Sequence, residues 1–465
     1  MEEKQDSLTR RDVVKLAGAA TLTAAAAVEI SAPRIQKVRA ANDQVQYGMI
    51  GTGSRGSYLL GHLSKIDTGR CVALCDINPT ALDHAAEVIG SNPKKFKDYR
   101  ELLSQKEVEA VYIAVPLYVH FPVTKDCLLA GKNTFCEKSL VFKPEEVHEL
   151  RALAADHSKQ ILQVGLQRRY SKFYQTVKDM VDKGVLGDVT HVHAQWHRNP
   201  GWTMKPGGKD NPLNWRLFRE FSGGLTAELA SHQVDVADWM FGASPEWVMG
   251  AGSLDWRKDG RDINDNIQLI YKYSGGRKCT YSAISTNDHL PLFNATRTEM
   301  GELIMGTGGA VQITVGDDTH PVIALWYPEP THVDVSKAEP GKSEHAVAGA
   351  TMVSAAAGKA LPVLLPKDQV TGSESFLSRE AKFARRWLYT KGVMTPEEDH
   401  NPVDTELDTF LQNCHDGKRP LADVNVGLND STAVILSNIC MDQDRKVMFT
   451  EIEKMGNDKA AAKKA

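Results

Sequence analysis

VQYGMIGTGSRG occupies residues 45–56: a short apolar run, Val45 to Ile50, passing straight into a glycine-rich turn. A helical pattern follows at 58–66, and a second apolar run, Cys71 to Cys75, ends in Asp76. Each glycine of such a turn has a separate task. Gly51 permits the sharp bend, Gly53 lets the backbone approach a pyrophosphate, and Gly56 lets helix and strand pack closely. The helix N-terminus then offers free N–H groups to the phosphates. G-x-G-x-x-G alone is a weak signal. Set between strand and helix, with an acid 20 residues after Gly56, it reads as a dinucleotide-binding βαβ unit. An acid at the end of the second strand accepts hydrogen bonds from a ribose diol and repels a 2′-phosphate, which favours NAD over NADP.

The alternation continues through a helix at 99–105, a strand at 110–115 ended by Pro116, a helix at 121–130 closed by Gly131, and a strand at 133–136. Glu137 and Lys138 follow at its carboxyl end, where ligands of open parallel sheets sit. A helix at 144–157 and a strand at 161–164 complete a Rossmann domain expected over 42–165. An α/β fold is therefore expected, with the remaining 166–455 forming a second domain. A chain of 465 residues is too long for one ordinary core.

Composition narrows the function classes. Apolar residues make up 42% and charged residues 25%, which describes a globular chain. Residues 1–40 hold seven basic and five acidic groups, leaving 48 and 54 in the rest, a net −6. No basic patch has the density that nucleic-acid binding requires. The seven cysteines are scattered and odd in number, unlike a disulfide framework.

The N-terminus reads as an address. SLTRRDVVK at 7–15 leads into an alanine-rich apolar run from 16 to 30, and VRA at 38–40 offers a small-residue cleavage site. This is the pattern of a twin-arginine signal peptide, 1–40, and implies a periplasmic protein. The run is too short and too alanine-rich to span a bilayer well, so no membrane attachment is expected after cleavage. The tail 456–465 reads as disordered.

Within the second domain, TAELASHQVDVADW at 226–239 places Glu228 and His232 four residues apart, on one face of a helix. The pair alone admits a surface ion pair, half of a metal site, or an acid–base couple. His191, His193 and His197 alternate along one strand and admit a metal site or a polar sheet face that meets another subunit. No companion motif supplies further ligands, so no metal is expected. The segment 196–220 mixes aromatic and basic residues with proline and glycine. Trp196, Trp202, Trp215, His197 and Arg219 there suit a sugar, through apolar faces and hydroxyl-directed donors, and equally suit ordinary packing.

GTGSRG at 51–56, AVYIAVPLYVH at 110–120, AGKNTFCEK at 130–138, GLQRRY at 165–170, SGGLTAELASHQVD at 222–235 and FLQNCHDGKRP at 410–420, in this order, resemble the glucose–fructose oxidoreductase, inositol dehydrogenase and rhizopine-catabolism superfamily, Gfo/Idh/MocA. The resemblance covers the chain after the signal except about 310–400. It implies a Rossmann domain, a second α+β domain with a large open antiparallel sheet whose outer face often pairs subunits, and a helical return to the Rossmann domain near 404–440. It implies NAD held by Gly51, Thr52, Gly53, Ser54, Arg55, Gly56, Asp76, Pro116, His120, Glu137, Lys138 and Gln167. It implies catalysis by Lys138, His232 and Glu228, and adds Arg169 and Tyr170 to the residues expected to meet substrate. Ser139 stands where the family has proline, and Glu228 where it has aspartate.

The resemblance thus implies an NAD-dependent oxidoreductase acting on a sugar or polyol. The alternatives are a glycosidase or lyase that oxidises a ring hydroxyl transiently, and a catalytically silent sugar-binding relic. Exported protein lacks a cytosolic pool to recycle the cofactor, which favours tightly held NAD.

Overall fold

A computed structural model describes residues 44–198, 202–287, 300–315, 322–329, 360–372, 374–391 and 396–455. The signal 1–40, the tail 456–465 and much of 316–400 lie outside the described residues.

Six strands form the first sheet: β1 (Val45–Ile50), β2 (Gly69–Cys75), β3 (Lys94–Phe96), β4 (Ala110–Ile113), β5 (Asn133–Glu137) and β6 (Leu162–Gly165). All pairings are parallel, in the order β3-β2-β1-β4-β5-β6. That is the dinucleotide-binding order, with strand direction of build-up reversing between β1 and β4. β4 is buried along its whole length, as a strand covered on both faces must be. The connecting helices are α1 (Ser54–Leu63), α2 (Pro79–Ile89), α3 (Tyr99–Leu103), α4 (Leu117–Leu129) and α5 (Pro144–Asp156). α4 begins earlier than its expected start at 121, because Pro116 already sits at its N-cap.

After α6 (Lys172–Asp182) and β7 (Val189–His197), a π turn at Thr226–Ala230 runs into α7 (Ser231–Phe241). Seven strands then join β7: β8 (Trp247–Ser253), β9 (Asn266–Lys272), β10 (Lys278–Ile284), β11 (Met300–Gly306), β12 (Gly309–Val315), β13 (Ile323–Pro328) and β14 (Leu361–Pro362). With β15 (Val447–Met448) they build a nine-stranded sheet, β14-β13-β12-β11-β7-β10-β9-β8-β15. It is mixed rather than wholly antiparallel, since β7 and β10 run parallel. The chain leaves β7 by a long excursion and re-enters the sheet from the far side, so β10 meets β7 in the same direction.

Past α8 (Phe376–Thr390), the helices α9 (Pro402–Asp416) and α10 (Val424–Asp442) return to the first sheet, and the short α11 (Ile452–Met455) follows. Phe410 of α9 packs against Tyr112 and Phe135, and the Tyr112 hydroxyl donates to Leu407 O at 3.0 Å. α10 crosses the carboxyl end of β6 at Gly427. A Cβ there would lie 2.4 Å from Val164 Cγ2, so only glycine permits the approach. All seven cysteines are free, and six are buried.

Candidate active site

The turn after β1 has the shape its sequence requires. Gly51 takes φ +87°, and a Cβ on Gly56 would lie 2.0 Å from Gly51 O. At Gly53, the N-cap of α1, a Cβ would meet nothing within 4 Å, which leaves open space where a pyrophosphate would approach. Asp76 faces this turn: Oδ2 accepts from Thr52 N at 2.7 Å and Oδ1 from Asn78 N at 2.8 Å. Oδ2 also accepts from Thr52 Oγ1 at 3.3 Å, so it is Oδ1 that keeps a second acceptor position for a ribose hydroxyl. The side chain of Gln167 leaves its buried Oε1 without a partner, as a residue awaiting a ligand would. These residues fit a dinucleotide.

Across the turn, Arg55 Nε donates to Glu137 Oε1 at 2.6 Å, tying the glycine turn to the end of β5. Next to it, Lys138 Nζ donates to the backbone carbonyls of Ala227 at 3.1 Å and Glu228 at 2.7 Å. The Lys138–Ser139 peptide is cis. Burial pulls the Lys138 ammonium below its ordinary value, with Glu228 and Glu137 opposing. His120 turns Nδ1 to Ser139 O at 2.8 Å and Nε2 to Val115 O at 2.9 Å. Burial lowers His120 and favours the neutral ring, whose one N–H donates to one of these carbonyls, so His120 braces the Lys138–Ser139 segment.

Glu228 lies in the π turn and His232 in the first turn of α7, and the carbonyls of 227 and 228 receive Lys138. The Glu228 carboxylate pairs with Arg216 Nε at 3.1 Å and not with His232. Burial would raise Glu228, but Lys138 and Arg216 outweigh it and hold the carboxyl below its ordinary value. His232 is buried, its Nδ1 has no partner, and its ring lies 5.6 Å from that of Trp196. Burial first, then the charges of Lys138, Arg168 and Arg55, hold its imidazole neutral well below the ordinary range.

The expected substrate residues divide. Trp196 and His232 are neighbours, whereas His197, the next residue of the strand, points to the opposite sheet face with Nε2 3.1 Å from Ser282 Oγ. Arg169 instead binds Asp235 through Nε and Nη2, at 2.6–3.0 Å, and lies over Trp239. Tyr170 is 1% exposed, inside the core. The Arg219 guanidinium pairs with Asp442 and donates from Nε to the Asp262 carbonyl at 3.1 Å, and the residue lines a separate half-open cavity of about 400 Å³. Arg169 and Arg219 are thus committed to carboxylates, while the buried Tyr170 hydroxyl has no hydrogen-bond partner among the described residues. Trp202 and Trp215 do flank the site, but both stack on Arg216, 5.8 and 4.2 Å from its guanidinium. His191 and His193 share Thr280 Oγ1 on the outer sheet face. Among the described residues, no three His, Cys, Asp or Glu side chains are arranged to hold a metal.

Four residues were missed. Arg168, beside the expected Arg169, is buried against Glu302, whose second oxygen accepts from Tyr174 OH at 2.7 Å. Arg216 was legible only as one more basic residue of its loop. Glu406 of α9 and Asp430 of α10 are buried acids whose four oxygens all lack partners. Burial raises both well above the carboxylate range, with Glu137 adding at Glu406 and Asp235 at Asp430. No local pattern marks them.

An oxidoreductase family model, described as an NAD-binding Rossmann fold, matches residues 45–166, and the GFO/IDH/MocA C-terminal domain matches 174–310. Together these span more than half of the chain. The protein belongs to the Gfo/Idh/MocA family. Its first sheet is that family's NAD-binding domain. Among Gfo/Idh/MocA relatives, the inositol 2-dehydrogenase of Rubrobacter xylanophilus is 28% identical over 278 residues, 59% of this chain and 73% of that one. A glycosyl hydrolase family 109 protein of Shewanella sp. (strain ANA-3) is 31% identical over 171 residues, 35% of this chain and 37% of that one. For two further curated relatives, uncharacterised oxidoreductases, the match spans about half their length, 58% and 42%. The aldose-aldose oxidoreductase of Caulobacter crescentus, solved with glycerol, shares the fold at a TM-score of 0.63 and 17% identity, over 87% of this chain and 99% of that one.

Proposed function

We propose that this Gfo/Idh/MocA protein is an exported, NAD-dependent oxidoreductase acting on a sugar or polyol hydroxyl, with a tightly held cofactor. The observation that carries the reading is a buried His232 with an unpartnered nitrogen, beside the half-buried Lys138 at the carboxyl end of β5. Bound NAD supplies the hydride acceptor. The chain's own residues manage the proton and the charge. His232 accepts the hydroxyl proton on a ring nitrogen. Lys138, anchored to two carbonyls, keeps a third N–H for the developing alkoxide. Glu228, held by Arg216, orders the neighbouring hydroxyl. Export from the cytoplasm rests on the twin-arginine pattern at 7–40. Among the described residues no helix is long and apolar enough to cross a membrane. Two copies associate through the outer face of the nine-stranded sheet.

The test is to denature purified protein, quantify released nucleotide, and follow NAD reduction on a panel of sugars and polyols. Near-stoichiometric NAD(H) and turnover lost in Lys138→Ala support the reading. Less than about a tenth of an equivalent of nucleotide, with no turnover, sinks it.

The match to a glycosyl hydrolase family 109 protein supports a second reading. There, oxidation of a ring hydroxyl acidifies the adjacent C–H, the glycosidic bond is eliminated, water adds, and the cofactor is restored. Glycoside cleavage without added NAD separates the two.

A further inference from the structure

Beside Glu228 lies a cavity of about 230 Å³ lined by Trp202, Thr203, Lys205, Leu213, Arg216 and Leu217. It is smaller than the roughly 300–1,000 Å³ of ordinary ligand pockets, so it suits one ring or one substituent. Its lining holds two cations and no acid. Elsewhere around the site the arginines are consumed by carboxylates: Arg55 by Glu137, Arg168 by Glu302, Arg169 by Asp235 and Arg261 by Asp259. Arg216 differs. Only its Nε is spent, on Glu228, and its two terminal nitrogens have no acceptor among the described residues. The ammonium of Lys205 likewise has none, and its side chain is exposed.

The walls are fixed before any ligand arrives. The buried amide of Asn214 grips Lys205 from both sides, accepting from its N–H and donating to its carbonyl, each at 2.8 Å. Arg261, locked to Asp259, donates to Trp202 O at 2.9 Å. Trp202 and Trp215 set the plane of the Arg216 guanidinium by stacking on it. Such preorganisation lowers the ordering cost of binding. A planar fork with free terminal donors, next to a second cation, matches an oxyanion. Arg216 is linked to the reacting centre through Glu228, whose carboxylate it holds and whose backbone carbonyl accepts from Lys138.

We propose that this cavity is a subsite for an anionic substituent of the saccharide, a carboxylate or a sulfate, so that the substrate is an acidic sugar. The proposal rests on the oxidoreductase reading for the sugar and for the position of its reacting hydroxyl.

The experiment is calorimetric titration of the full NAD-loaded protein with glucuronate, glucose 6-sulfate and glucose at two salt concentrations, with NADH formation followed in parallel. At least one acidic sugar is expected to bind about ten- to a hundredfold more tightly than glucose. The advantage should shrink with salt. It should be lost in Arg216→Gln and reduced in Lys205→Gln, with bound nucleotide unchanged. Which acid wins separates carboxylate from sulfate. Glucose binding as tightly as both acids, no binding of any of the three, or an advantage that survives both substitutions overturns the proposal. Should Arg216→Gln fail to fold, the exposed Lys205→Gln carries the readout. Acidic preference without NADH formation leaves the subsite standing and removes the oxidoreductase reading; NADH from glucose without acidic preference does the reverse.

Discussion

At the scale of the residue, His232 and Lys138 lend themselves to kinetic tests. Both native values lie below the ordinary ones of 6.5 and 10.5, burial being the first cause in each case. A depressed histidine stays a free base through pH 6.5, where an ordinary one would be half protonated. A depressed lysine loses its charge before pH 10.5. The kcat/KM profile of the oxidation is therefore expected to be a plateau whose acid limb lies below 6.5 and whose alkaline limb lies below 10.5. An acid limb at or above 6.5 would remove His232 as the base. Folding follows the same sign: below pH 6.5 the unfolded chain binds a proton that native His232 refuses, so this residue costs stability as pH falls. Truncation gives a second measurement. Lys138→Ala should cost about 10² or more in turnover with nucleotide still bound. His232→Ala should cost about 10²–10⁴. The double variant should fall well short of the product, because groups acting as a unit are not additive. The sequence exposed these two, and the glycine turn with Asp76, because each occupies a fixed place relative to a strand end or helix start. It could not expose which side chain Glu228 meets, since Arg216 is brought to it by a loop without periodicity.

At the scale of the element, the π turn at Thr226–Ala230 is what sequence periodicity concealed. One residue too many in a turn leaves the apolar pattern of the helix almost intact, and the Glu228 carboxylate within it meets Arg216. The helices α9 and α10 were legible as a return to the first sheet, but their buried acids were not, because burial is a property of the assembled layers. Burial raises Glu406 and Asp430, which favours their protonated forms in the fold. Between the unfolded carboxylate value, about 4, and the raised native one, folding takes up a proton, and stability falls as pH rises through that window. Asp430→Asn should remove Asp430's share of this dependence and leave that of Glu406. Its unfolding temperature is expected to equal or exceed the parent's at pH 7.5, with the advantage narrowing toward pH 4. A loss of several degrees at pH 7.5 would mean instead that the carboxylate is charged and satisfied, since breaking a buried charge pair is strongly destabilising.

At the scale of the whole molecule, the strand order of the first sheet followed from motif and alternation, while the parallel β7–β10 pair did not, since nothing local tells which way a strand enters a sheet. The outer face of that second sheet carries the last prediction. Met249 and Ile270 stand 42% and 39% exposed on adjacent strands, and Leu303 and Met305 are half-buried farther along the face. Interleaved with them are His191, His193 and Thr280, polar groups that already bond to one another. Burial lowers both histidines, so the face carries little positive charge at neutral pH to repel a copy of itself. Nine strands span roughly 38 Å at about 4.8 Å spacing, and the seven-residue strands β8, β9 and β10 run roughly 23 Å. The two edge strands have only two residues each, so the seven longer strands give a footprint of roughly 670 Å² per partner, about 1,300 Å² in total, at the lower end of specific interfaces. A two-fold axis through the face would set each apolar row against its own copy, an isologous contact that closes. Met249→Glu with Ile270→Glu places four like charges in the paired face while leaving the core side of β8 and β9 untouched. Light scattering of the parent should give at least twice the chain mass, and the double variant should fall to one chain with bound nucleotide retained. A variant that keeps the parent's mass would place the interface elsewhere, because uncompensated charges at the centre of an apolar contact cost more than such an interface can absorb.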